Sequence, residues 1–156
     1  MLDDLLIARA LHVLAVVHWI GGVGFVTLVV LPLASSRPAV EALKLFEWVE
    51  RRFAAQVRVS IPLAGAAGLW MTYRMDVWER FLDPHFWWMA AMAALWAVFM
   101  TMVFVVEPVF HRELDAFARK DPAGALRRVI RAHVVLLALA ALTVLGAVAG
   151  SHGFYF

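Results

Sequence analysis

The sequence predicts an all-α integral membrane protein, a four-helix bundle with both termini on the extracytoplasmic side. Apolar residues make up 64% of the 156 residues and the mean hydropathy is +0.81, whereas soluble domains are roughly 45–50% apolar. Four apolar stretches reach the roughly 20 residues that a helix needs to cross a bilayer. Backbone polar groups in lipid must be paired within the chain, which favours helices over other open-chain structures.

The four predicted spans form a single transmembrane domain, residues 1–156. They run roughly over residues 5–33, 54–73, 86–106 and 129–150. The first is long enough to tilt in the membrane. The chain begins with the acidic stretch MLDDLLIARAL, whereas a signal peptide begins with basic residues. The first apolar run is therefore predicted to be a retained helix.

The distribution of basic residues predicts the orientation of the bundle. We call the membrane side that holds both termini side A and the opposite side side B. Side A carries three basic residues: Arg9, Arg74 and Arg80. The remaining basic residues fall on side B: Arg37, Lys44, Arg51, Arg52, Arg58, Arg112, Arg119, Lys120, Arg127, Arg128 and Arg131. Basic residues accumulate in cytoplasmic loops, so side B is predicted to be cytoplasmic, in a bacterial inner membrane.

The linkers and small residues predict how the spans are joined and packed. Residues 39–53, AVEALKLFEWVERRF, read as a short amphipathic cytoplasmic helix between the first two spans. Residues 111–128 extend the third span until Asp121-Pro122 breaks the helix. Small residues four apart, Ala64 with Gly68 and Gly146 with Gly150, predict close helix approach.

The six histidines are the candidate functional residues, because ionisable side chains in a membrane are costly and mark function. They fall into two groups at two depths. Near side A lie His12, His85 and His152, and at or below the midplane lie His18, His133 and His111. His85 and His152 also fit unligated interfacial positions, and His111 and His152 are the weakest candidates as iron ligands.

The spacing of the histidines favours two stacked sites. His12 and His18 stand six residues apart, which rotates the side chain by about 240° along a helix. They are therefore predicted to serve separate sites rather than one metal ion. Imidazole is a normal axial ligand of haem iron, and bundles hold cofactors between facing helices. One or two b-type haems are predicted. Small neighbours of His18, Ala15 and Gly22, leave room for a macrocycle or for another helix.

Other polar and sulfur-containing side chains extend the prediction. Arg58 and Arg131 are candidates to pair with haem propionates, because arginine binds planar carboxylates well, or to reach the lipid headgroups. Glu107 is predicted to pair with Arg58 or to take part in proton transfer. The chain has no cysteine, which excludes thiolate sites. Its seven methionines keep copper(I), bound by thioether and imidazole, as the rival metal.

Part of the chain resembles a known family. The resemblance rests on the pattern LH-x6-W-x2-G, on Leu31-Pro32, and on a later helix with Pro62 and Gly68-Leu69-Trp70. The pattern comprises Leu11, His12, Trp19 and Gly22, and is followed by Phe25 and by the segment Phe46 to Phe53. These residues resemble the HemJ and CopD group of small membrane bundles over roughly the first half of the chain. The resemblance implies haem-dependent protoporphyrinogen oxidation or copper handling, with His12 as a haem-associated residue.

The residues leave four functional hypotheses. The first is a haem b cytochrome, an oxidoreductase, that transfers electrons across the membrane or to and from a quinone or a redox partner protein. The others are a HemJ-like protoporphyrinogen oxidase, a CopD-like copper protein, and an anchor subunit without a cofactor. The lipid bilayer is a predicted partner, a homo-oligomer is compatible with the apolar surface, and no nucleic-acid partner is expected.

Overall fold

A computed structural model describes residues 4–154, and the long elements of this range are all α-helices. The helices are α1 (Asp4–Phe25), α2 (Leu31–Ser35), α3 (Ala39–Met75), α4 (Trp87–Thr101), α5 (Glu107–Lys120) and α6 (Pro122–Ser151). Short 3-10 turns at Trp78–Phe81 and Pro84–Phe86 connect α3 to α4. The all-helical prediction is confirmed over this range. Residues 1–3 and 155–156 of the predicted domain lie outside the described residues.

Three helical stretches between residues 4 and 154 are long and apolar enough to cross a membrane. They are Asp4–Ser35, Pro84–Lys120 and Pro122–Ser151, and they contain the first, third and fourth predicted spans. The predicted second span lies within α3, where Gln56, Arg58 and Ser60 lower the hydropathy. The described chain is therefore compatible with an integral membrane bundle of three or four spanning helices.

The helices run alternately up and down. Arg74 near the end of α3 donates to Asp4 at the start of α1, with Nε 2.7 Å from Oδ2. Gly150 near the end of α6 packs against Trp88 at the start of α4. Both ends of the described chain therefore lie at the same end of the bundle. The central core is formed by Trp19, Val23, Val57, Ile61 and Phe99.

Two of the helical stretches that are long enough to cross a membrane contain a π-helical segment just before a proline. Val26–Val30 connects α1 to α2 before Pro32, and Met102–Val106 connects α4 to α5 before Pro108. Proline has no N–H and its ring crowds the preceding turn. A widened turn of π-helix accommodates this locally without ending the helix. The chain thus stays helical through both prolines, which keeps its backbone groups paired at membrane depth.

Residues 39–53 are helical, but they do not form a separate amphipathic helix. They are the first turns of α3, which continues without interruption to Met75. No glycine or proline stands between Ala39 and Phe53 to end the helix there. Leu43 packs with Ala125 and Leu126 of α6, and Phe46 is buried beside Val26 and Leu31. Protein therefore covers Leu43 and Phe46 on the apolar side of this segment, whereas Val40 on the same side is 51% exposed.

The predicted break after the third span is confirmed at Asp121-Pro122. α5 ends at Lys120 and α6 begins at Pro122. The Asp121 carboxylate accepts a hydrogen bond from the Gly124 N–H at 2.8 Å. Proline at the first helical position and an aspartate cap are the usual start of a helix. This cap begins α6 about two turns before the predicted span.

The predicted small residues do allow the helices to approach closely. A Cβ atom added at Gly146 would overlap the Trp87 ring, and one added at Gly150 would overlap the Trp88 ring. At Gly68 an added Cβ would lie 3.3 Å from Cε1 of His12. Each glycine therefore makes room for an aromatic or imidazole ring from the neighbouring helix, which is the packing role expected of small residues in membranes.

Candidate functional site

His12 lies on the side of α1 that faces α3. Its Nδ1 is 2.7 Å from the carbonyl oxygen of Ala64, and its ring stands over Gly68. A carbonyl oxygen can only accept, so Nδ1 carries the proton and donates. The same tautomer leaves a lone pair on Nε2. Metal-ligating histidines are usually oriented in this way by a carbonyl or carboxylate on the other ring nitrogen.

His18 also faces α3, but both of its ring nitrogens already have side-chain partners. Nε2 lies 3.2 Å from Oε1 of Gln56 and Nδ1 lies 3.2 Å from the Ser60 hydroxyl. The Gln56 amide nitrogen donates to the Arg52 carbonyl, which orients Oε1 towards the histidine. The consistent tautomer has Nε2 donating to Gln56 and Nδ1 accepting from Ser60. We call these three side chains the His18 cluster.

His133 in α6 has the same tautomer as His12. Its Nδ1 donates to the Val129 carbonyl one turn earlier, at 3.0 Å. Its ring meets Phe46 of α3 edge to face, with the centroids 5.3 Å apart. Nε2 is again the nitrogen that keeps a lone pair. His12 and His133 are therefore the two candidate ligands that lie within helix–helix contacts and are oriented through Nδ1.

The other three candidate histidines are exposed. His85 precedes α4 and its Nδ1 lies 2.9 Å from the Asp83 carboxylate. Nδ1 of His111 contacts the Pro108 carbonyl within α5, and Nδ1 of His152, the residue after α6, contacts the Val148 carbonyl. Within residues 4–154, no three histidine, aspartate or glutamate side chains cluster as a metal site.

Of the two candidate arginines, Arg58 has an acidic partner from another helix. Its Nη2 donates to Oε1 of Glu107 at 2.9 Å, which confirms the predicted pair. Both side chains keep about two fifths of their surface exposed, at 45% and 39%, so this pair is open to further partners. Arg131 is exposed on α6. Both arginines are therefore accessible to a carboxylate from outside the chain.

Space near the histidines is restricted by aromatic rings. Ala15 is buried against the core, and the notch at Gly22 is filled by the Phe53 ring, which also lies 6.0 Å from His18. The notch at Gly65 is filled by Trp96. Around His18, the small residues therefore admit neighbouring side chains. A flat cofactor must approach from the outer side of the helices or displace these rings.

Trp19 presents a buried donor that the sequence did not single out. Its Nε1 has no hydrogen-bond partner within the described chain, and the residue is 4% exposed. An unpaired buried N–H costs about 1–3 kcal/mol. Trp19 lies two turns after His12 on the same buried face of α1. The Trp19 Nε1–H can therefore donate a hydrogen bond to an acceptor atom of a bound ligand.

Glu50 lies one turn before the predicted second span. Among the described acidic groups, its pKa departs most from the ordinary value of the side chain. Burial, and then the nearby carboxylates of Glu107 and Glu47, raise the pKa of Glu50 to about 7 from 4.5. Part of the Glu50 surface stays exposed, so burial is incomplete. Repulsion by the two neighbouring carboxylates acts in the same direction as burial and also raises the pKa of Glu50. The folded protein therefore holds this proton more tightly than the unfolded chain does.

We expect folding stability to fall as the pH rises through this range because of Glu50. Below about pH 4.5 both the folded and the unfolded protein bind the Glu50 proton, and between 4.5 and 7 only the folded protein keeps it. Above pH 7 Glu50 is ionised in both, and the loss of folding stability is complete. Melting temperatures of the wild type and Glu50→Gln in detergent, from pH 4 to pH 9, should converge at low pH, with the variant more stable above pH 7. Glu41→Gln, in the exposed first turn of α3, is the control. Parallel curves for wild type and Glu50→Gln would contradict the assignment.

The sequence indicated His12, His133 and the Arg58–Glu107 pair but missed Gln56 and Ser60, and it included Trp19 in a pattern without indicating a buried donor. A usable signal was present: Gln56, Ser60, Ala64 and Gly68 follow one another at four-residue spacing, which places them along one stripe of α3. This stripe contacts both His12 and His18. The chain matches no protein-family model, no curated protein and no solved structure.

Proposed function

We propose that this protein is a haem b membrane cytochrome that transfers electrons. The observation that carries the proposal is His12, whose Nδ1 donates to the Ala64 carbonyl and leaves Nε2 as a neutral ligand atom. Haem iron bound by imidazole takes up and releases one electron. An imidazole in the hydrocarbon region is costly, and bonding of Nε2 to iron offsets that cost.

The two-depth arrangement is proposed with His12 as a ligand of the outer site and His133 as a ligand of the inner site. These residues lie on different helices, and each donates its Nδ1–H to a backbone carbonyl. His18 is less suited to the inner site, because ligation would require it to release Gln56 or Ser60. His85 and His152 remain the candidate second ligands near side A, and His111 remains one near side B.

The chain offers cations and a buried donor to the edges of such a cofactor. Arg58 and Arg131 present guanidinium groups that suit planar carboxylates. Glu107 neutralises Arg58 until a competing carboxylate binds there. The unpaired Nε1 of Trp19 suits a carboxylate or carbonyl oxygen in the core. Arg58, Arg131 and Trp19 would bind and orient the haem, and His12 and His133, as iron ligands, would set its electronic environment.

The orientation belongs to the same proposal. With side B carrying the larger share of basic residues, the α2–α3 and α5–α6 connections lie in the cytoplasm and the ends of the chain lie outside it. A bacterial inner membrane provides this arrangement. A cysteine introduced at Ser36 should then react with impermeant maleimide only after the membrane is broken, and one introduced at Glu79 should react in intact spheroplasts.

A spectrum of the purified protein tests the function. Protein expressed in cells supplied with haem precursor and purified in detergent should show sharp b-type bands in the reduced-minus-oxidised spectrum. The pyridine adduct then measures haem per chain. A colourless preparation contradicts the proposal. Retained copper in that preparation would support the copper alternative, and turnover of a porphyrinogen by a haem-loaded preparation would support the oxidase alternative instead of simple electron transfer.

A further inference from the structure

An apolar groove runs along the outer side of the contact between α1 and α3. Its volume is about 250 Å³, and its walls include Ile7, Leu11, Leu63, Ala67 and Trp70. At its side A end lies Asp4, which accepts hydrogen bonds from Trp70 and Arg74. The groove is therefore apolar along its length and polar at the membrane surface.

The His18 cluster lies on the same side of this contact, deeper in the membrane. Leu11 and His18 are seven residues apart on α1, and Leu63 follows Ser60 by three and Gln56 by seven on α3. Residues at these spacings share one side of a helix, and seven residues rise about 10 Å. The groove therefore leads from side A towards a polar group near the middle of the bundle.

The His18 cluster has hydrogen-bonding capacity that the protein does not use. His18 and Gln56 are exposed, whereas Ser60 is buried. After the bonds to His18 and to Arg52, the Gln56 amide keeps one N–H and its oxygen keeps one lone pair. The Ser60 hydroxyl donates its proton to Nδ1 of His18 and keeps a lone pair that can accept from a ligand. The cluster can therefore match either a carbonyl or a hydroxyl on a ligand.

We propose that the groove and the His18 cluster bind a membrane-soluble quinone or quinol, with the ring at His18 and Gln56 and the apolar tail in the groove. A quinone carbonyl accepts from the Gln56 N–H, and a quinol hydroxyl donates to the Gln56 oxygen or to Ser60. The choice of a redox-active ring rests on the proposed electron-transfer function.

The dimensions and polarity favour this occupant over a second copy of the chain. One turn of a helix, about 10 Å wide and about 5.4 Å high, occupies roughly 400 Å³, which exceeds the groove volume of about 250 Å³. A narrow hydrocarbon tail fits a groove of that size. At the inner end of the groove, the polar atoms are confined to the three side chains of the His18 cluster, which suits one small head group.

Photolabelling tests the site. Purified protein in nanodiscs is irradiated with an azido-benzoquinone that carries a decyl tail, with and without excess decylubiquinone, and labelled peptides are mapped by mass spectrometry. Labelling should be saturable and confined to α1 and α3. His18→Phe, Gln56→Leu and the groove-blocking Leu63→Trp should each lower it at least tenfold. Leu142→Trp, a matched substitution at an exposed position of α6, should leave it unchanged.

Several results would overturn the quinone site. Labelling that is not saturable, or that persists in Gln56→Leu and Leu63→Trp variants of wild-type melting temperature, overturns the proposal. So does a dimer that Leu63→Trp dissociates, since the groove would then be an interface between copies. Haem spectra of the same samples separate the two proposals. Haem without labelling overturns the quinone site alone, whereas labelling without haem overturns the cytochrome and leaves the site standing.

Discussion

Replacing His12 by alanine is expected to remove the outer-site haem completely while sparing the inner site. In the proposed arrangement the imidazole would supply the iron ligand, and no other described side chain lies over Gly68. The Ala64 carbonyl, which orients His12 at 2.7 Å, cannot replace it as a ligand. The pyridine adduct of purified protein measures the loss as haem per chain, and the melting temperature shows whether the variant is folded.

The His12 result is interpretable only beside two other variants. His133→Ala should remove the inner-site haem and keep the outer one, and His111→Ala, at an exposed position, should change the haem content least. Equal loss in His12→Ala and His133→Ala would indicate one shared haem and contradict the two-depth arrangement. Full retention in His12→Ala would remove the observation on which the proposed function depends.

Gly150→Ala is expected to destabilise the bundle strongly, although alanine favours helices more than glycine does. Its methyl group would overlap the Trp88 ring, which is 7% exposed and is held by the rings of Phe86 and Trp87. Overpacking of this kind costs about 1–3 kcal/mol. A lower melting temperature in detergent, followed by near-ultraviolet circular dichroism of the tryptophans, measures the effect.

The matched control for this prediction is Gly21→Ala. An added Cβ at Gly21 meets nothing within 4 Å, so the substitution should stabilise the helix by up to about 1 kcal/mol. The double variant Gly150→Ala with Trp88→Leu should recover part of the loss at Gly150, because the smaller side chain vacates the space. Equal melting temperatures for Gly21→Ala and Gly150→Ala would show that α4 and α6 do not approach each other closely at Gly150.

Predictions that depended on local chemistry agree with the structure. Asp121-Pro122 ends one helix and begins the next, because the proline cannot continue the first helix and the aspartate caps the second. The small residues predicted to admit neighbouring helices do so at Gly68, Gly146 and Gly150. Arg58 reaches Glu107, because opposite charges at the same end of the bundle attract each other.

Predictions that depended on which surface faces which neighbour were less complete. Residues 39–53 have an amphipathic pattern, but the pattern does not say which apolar residues protein covers; it covers Leu43 and Phe46. The sequence also placed two histidines on α1 without showing that both contact one stripe of α3. The side chains of His12 and His18 differ by about 240° in direction around α1, yet both contact α3. His12 lies over Gly68, whereas His18 reaches Gln56 and Ser60 from the side of the same helix–helix contact.

The sequence by itself determined that this chain is helical, that its long apolar segments suit a membrane, and where prolines and caps divide it. These properties follow from hydropathy and local backbone chemistry, which act over a few residues. Only the tertiary structure decided that His12 is oriented by a carbonyl, that His18 is bonded by Gln56 and Ser60, and that tryptophans fill the glycine notches. Those contacts join residues dozens of positions apart, so they depend on how the helices are rotated and paired in three dimensions.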